Sequence, residues 1–72
     1  MREGVGERRF GTVAVEKGCA TLEQIIEAMN IQIQEDIEKG EHRLLGMILV
    51  DMGVMNVAQV KEVLLTMGVP IW

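Results

Sequence analysis

Apolar residues recur through the first half of the chain at spacings of three and four: Leu22, Ile25, Ile26, Met29, Ile33 and Ile37. That spacing lines one side of an amphipathic helix. Thr21, with Gln24 three residues on, is a capping-box pattern in which each side chain satisfies an orphan backbone N–H. Glu35 and Lys39 stand at a favourable four-residue spacing, and Gly40 is a natural stop. The pattern predicts a helix over Leu22 to Lys39, roughly 27 Å long at ~1.5 Å per residue. A second amphipathic run follows in Val57, Val60, Val63, Leu64 and Met67. Asn56 caps it, Gln59 stands three residues on, and Gly68 and Pro70 end it.

Each run is preceded by a shorter apolar segment, "GTVAVEKG" and "MILVDM". Neither is typed by periodicity alone: the β-branched residues of the first suggest a strand, and the second has better helix formers. The two segments nonetheless belong to one pattern. Shifted by 35 residues, Gly11 falls on Gly46 and Gly18 on Gly53; Arg8, Val15 and Glu16 fall on Arg43, Val50 and Asp51. Each copy reads as a basic residue, a glycine, a short apolar segment, a second glycine and a capped helix. Neither copy can bury its apolar face alone. With the short segments helical, the expected fold is all-α: two tandem helix-pair half-domains, about four helices, sharing one small core. Residues 1–7 are polar and glycine-containing and read as a flexible amino terminus. Residues 8–72 read as one domain of two repeats, 9–39 and 43–68.

Composition narrows the means of stabilisation. A chain of 72 residues buries a small fraction of its surface. Cys19 is the single cysteine, so neither an internal disulfide nor a cysteine-rich metal site is available. Phe10 and Trp72 are the only aromatics, which leaves Met, Val, Ile and Leu to fill an adaptable core. Net charge is −4, against a broad phosphate-backbone binder. The longest apolar stretch, Leu44 to Val50, falls far short of the ~20 residues a bilayer requires. The opening "MREGVGERRF" lacks the apolar region of a secretory signal. With one free thiol, the expected location is the cytoplasm.

The repeat resembles the tandem motifs of the MshE-type amino-terminal domain of type II secretion and type IV pilus assembly ATPases. The first motif runs from Arg9 to Gln32, with Arg9, Gly11, Val15, Gly18 and Gln32 in register and Ile25 and Met29 at its spaced leucine positions. Phe10 replaces the usual Leu. The second runs from Leu44 to Met67, matching at Leu45, Gly46, Leu49, Val50, Gly53, Val54, Met55, Val60 and Leu64. It departs at both ends: Leu44 stands in place of Arg, with Arg43 one residue upstream, and Met67 in place of Gln. No Gly-rich phosphate loop of the motor is present.

The resemblance implies an all-α, non-catalytic regulatory or adaptor domain whose two motifs together bind cyclic di-GMP. It implies a first half-site of Arg9, Phe10, Gly11, Val15, Gly18 and Gln32, and a degraded second half-site of Arg43, Leu45, Gly46 and Gly53. Arg grips phosphate or a guanine edge with bidentate hydrogen bonds, glycine permits close backbone approach, and Gln both donates and accepts. A protein partner is expected, in secretion or pilus-type machinery or as a second copy; no cofactor or membrane insertion is.

Other readings of the same residues stand beside this one. The glycines serve equally as helix caps and turns, Arg8 and Arg9 as a solvated pair, and Gln32 as an exposed helix residue. Cys19 aligns with the apolar Val54 and reads as a small buried hydrophobe. His42 reads as a solvated loop residue, and no local motif makes a Cys19–His42 pair catalytic. There is no serine, and no activated nucleophile is apparent. The alternative function is a protein-docking module that keeps the fold without the nucleotide. A lesser one is a helix-turn-helix over Ile48 to Leu64, which offers a single cation, Lys61. Ile71 and Trp72 are expected to fold back over a core short of aromatics.

Overall fold

Four helices follow one another: α1 (Arg2–Glu16), α2 (Leu22–Lys39), α3 (Leu45–Asp51) and α4 (Val57–Thr66). The computed structural model describes residues 2–41 and 43–68, with side chains from Arg8 onward. His42, Pro70, Ile71 and Trp72 lie outside the described residues, and with them the expectations placed on them. Both segments of ambiguous period are helical. α1 extends back to Arg2, so the backbone of residues 2–7, set apart in the sequence reading, continues the first helix.

Both capping boxes form. Thr21 Oγ1 accepts from the Gln24 amide at 3.1 Å while Gln24 Oε1 accepts from the Thr21 amide at 2.9 Å. Asn56 and Gln59 do the same at 2.8 and 2.9 Å. The 35-residue offset therefore superposes the caps as well as the glycines. It also superposes the ends of the short helices. The Gly18 amide donates to Val15 O and the Cys19 amide to Ala14 O; the Gly53 amide donates to Val50 O and the Val54 amide to Leu49 O. Each is a Schellman closure, which needs a left-handed residue at its turn. Gly18 and Gly53 supply it with φ of 77° and 79°.

The helices pair across the repeats. α2 packs most extensively on α3, and α1 on α4 and α3. One cluster results, with Phe10, Ala14, Ile25, Ala28, Leu45, Ile48, Leu49, Met55 and Val63 buried. α3 has seven residues, far fewer than an isolated helix requires. Its stability comes from Leu45, Ile48 and Leu49, each at most 1% exposed. The copies divide the volume: Ala14 and Ala28 in the first correspond to Leu49 and Val63 in the second, and all four are fully buried. Cys19 and its counterpart Val54 are each half-buried against this core.

α2 departs from the sequence reading. Of the aliphatics expected on its inner face, only Ile25 is buried, and Met29 is half-buried. Leu22, Ile26, Ile33 and Ile37 are 64, 49, 55 and 78% exposed. The inner face is instead Ile25, Ala28 and Gln32, rotated by roughly a third of a turn. In α4, Val57 is likewise 59% exposed, while Val63 points fully inward. Among the described residues, no helix is long and apolar enough to cross a membrane.

Candidate functional site

The residues of the first motif separate by depth. Arg9 is exposed on α1, whereas Phe10 is buried in the core. Gly11 is buried where α1 crosses α2: a Cβ built there lies 2.8 Å from Ile25 Cγ2. Gly46 holds the matching position, its virtual Cβ 3.2 Å from Val60 Cγ1 and 3.1 Å from Phe10 Cζ. Ile25 and Val60 are themselves 35 residues apart, so one glycine-to-aliphatic contact is made twice. Val15 is half-buried, Leu45 fully buried, and Gly18 and Gly53 lie at exposed turns.

Gln32 and Arg43 meet each other. Gln32 is 9% exposed, not a surface residue, and its Nε2 donates to the Arg43 backbone carbonyl at 2.7 Å. The Arg43 guanidinium turns back onto α2, where Nε and Nη2 donate to the two oxygens of Glu35 at 3.0 and 2.8 Å. Its Nη1 donates to Asp51 at the end of α3. One arginine thus clamps the carboxyl half of α2 to α3 through a bidentate pair and a second carboxylate. The hydrogen bond from Arg43, and its charge, hold the Glu35 carboxyl below its ordinary value of 4.5 against partial burial. The same two carboxylates raise the Arg43 pKa.

This clamp carries a pH dependence. A carboxyl depressed on folding contributes stability above its ordinary value of 4.5 that is lost as pH falls through the folded value. Arg43→Met is expected to lower the melting temperature at neutral pH. The gap to the parent should narrow once acid protonates Glu35. Gln32 keeps its bond, since its acceptor is the backbone. Parallel pH profiles of melting temperature for the two chains would show that the pairing contributes nothing.

A groove of about 390 Å³ runs between α1 and α2. Its walls include Gly11 and Val15 of the first motif, with Leu22, Ile26 and Met29. The charged residues of its lining are Arg8, rather than Arg9, and Glu16. One cation and one carboxylate, both on α1, in an aliphatic groove are a poor match for two phosphates. The groove shares Leu22 and Ile26 with the exposed line of Leu22, Ile26, Ile33 and Ile37.

The sequence reading missed this surface because helical spacing alone does not say which stripe turns inward. The repeat itself held the signal. α4 ends at Thr66, the counterpart of Ile31. Residues 32–39 of α2 therefore extend past the point at which α4 ends. They carry Ile33 and Ile37 outward, and Gln32 and Glu35 inward to Arg43. No protein family model matches the chain, and no curated protein or solved structure matches it either.

Proposed function

We propose that this chain is a non-catalytic adaptor module that docks a helical segment of a partner protein on the outer face of α2. One observation carries the reading: four large aliphatics stand in line, half to three-quarters exposed, on a helix whose inner face is already filled. Contiguous exposed apolar surface of this kind marks protein-interaction sites, and helix-in-groove recognition uses this spacing of anchors. The reading keeps the adaptor role that the resemblance to secretion-ATPase domains implies and sets cyclic di-GMP aside. Of the residues that ligand would engage, Phe10 and Leu45 are interior and Arg43 is paired to two carboxylates. A DNA-binding role draws little support: on α4, Lys61 adjoins Glu62, which lies 3.7 Å from Lys17.

A photo-crosslinking residue at position 37, introduced in the cell of origin, is expected to give a discrete protein adduct that Ile33→Ser abolishes. The same probe at position 61 should give none. Equal labelling at both positions would remove the reading. So would saturable amide shifts at Arg9, Gly11 and Gly18 on titration with cyclic di-GMP.

A further inference from the structure

We infer that the segment docking on α2 is a basic amphipathic helix; the inference rests on the docking role above and adds the chemistry of the partner. Successive residues of a helix are rotated by roughly 100°, so the residue after each member of the stripe forms its solvent-side rim. Those residues are Glu23, Glu27, Gln34 and Glu38, and all are exposed. Asp36 flanks the other side of Ile37. Lys39 is the only cation of α2. The groove lining adds one cation, Arg8, and one carboxylate, Glu16. The docking face is thus an aliphatic line with an acidic rim.

A second copy of the chain fits this face poorly. A two-fold interface presents the same patch from both sides, and would set an acidic rim against itself. Like-charge juxtaposition at an interface opposes association. A helix with aliphatics at spacings of three and four and lysine or arginine between them meets both parts of the face. Its apolar side covers Leu22, Ile26, Ile33 and Ile37 while its cations reach Glu23, Glu27 and Glu38. The extra turns of α2 have a role in this arrangement. They lengthen the face beyond what the repeat supplies, and the Glu35–Arg43–Asp51 clamp holds them on the body of the domain.

The test uses the full chain, isotope-labelled, and three synthetic peptides as long as α2. One has leucines at amphipathic helical spacing with lysines between, one has glutamates in place of the lysines, and one has the lysine peptide's composition in scrambled order. The lysine peptide is expected to shift amides between Leu22 and Glu38, and to weaken about three-fold or more from low to physiological salt. Ile33→Ser with Ile37→Ser should raise its Kd at least about ten-fold, as burial of two aliphatic side chains is lost. Leu65→Ser, on α4, should leave the Kd unchanged. Thermal melts establish that each variant folds.

Equal or tighter binding of the glutamate or scrambled peptide would overturn the inference while leaving a docking face. Sedimentation showing a dimer that Ile33→Ser dissociates would overturn it in favour of a second copy. Failure of the lysine peptide to shift any amide of the stripe would also overturn it. The docking role is decided separately, by crosslinking at position 37 against position 61.

Discussion

Leu49→Ala is expected to destabilise the domain by about 2–5 kcal/mol, the range for truncating a fully buried leucine. A domain of this length has a total stability of roughly 4–11 kcal/mol, so about half of it is at stake. Leu49 is 0% exposed on a seven-residue helix. Its carbonyl also accepts from Val54 and Met55 at 3.0 and 3.3 Å, closing the turn into α4. The counterpart of Leu49 in the first copy is Ala14, also fully buried. Urea unfolding followed by far-ultraviolet circular dichroism is the measurement, with Leu65→Ala as control. Leu65 is 64% exposed, and its truncation should fall within about 0.5 kcal/mol of the parent. A Leu49→Ala midpoint no lower than that of Leu65→Ala would show that the core is not shared as described.

Such sensitivity follows from the crossed packing. α1 rests on α4 and α2 on α3, so neither repeat completes a core by itself. Loss of α3 uncovers α2 and part of α1 together. A single cooperative transition is expected, because no pair of helices from one repeat is left with a filled interface.

What was legible in the sequence was local. The two capping boxes, the bounds of α2, and the left-handed glycines at 18, 40, 53 and 68 each depend on a few neighbouring residues. The repeat was legible because identical turns need identical glycines. The helical state of the short segments was not, since Thr12, Val13 and Val15 weaken helix propensity and packing decides the matter. The inner face of α2 was also hidden. Ala28 and Gln32, the residues that turn inward, are small or polar, while the larger aliphatics beside them dominate the periodicity. The partner of Arg43 was hidden for a different reason. Glu35 had a good local partner in Lys39, and only the return of the chain after Gly40 brings the guanidinium to it. On the candidate site, the sequence located Gly11, Gly18, Gln32 and Arg43 as special positions. The structure gives these residues architectural contacts that spacing alone does not reveal.

Gly11 separates the architectural account from the ligand account by sign. A glycine kept for close approach of a ligand at the surface of a helix gains about 1 kcal/mol of stability on replacement by alanine, through helix propensity alone. Here the added Cβ would lie 2.8 Å from Ile25 Cγ2. Ile25 is 4% exposed and β-branched, so its methyl has little freedom to withdraw. Overpacking of this kind costs about 1–3 kcal/mol, enough to cancel the propensity gain and reverse it. Gly11→Ala is therefore expected to lower the unfolding midpoint, and Gly11→Val to destabilise the domain by about 2–3 kcal/mol, since valine adds bulk with little helix propensity. Gly46→Ala should be milder, because its neighbours, Phe10 Cζ and Val60 Cγ1, lie at 3.1 and 3.2 Å and a shift of a few tenths of an ångström relieves them. Ile25→Ala is the check on cause. Combined with Gly11→Val it should cost less than the two substitutions added together, by at least about 0.5 kcal/mol, as the valine enters the space the isoleucine leaves. A stabilised Gly11→Ala, or strict additivity in that cycle, would return Gly11 to the surface chemistry that the repeat motif first implied.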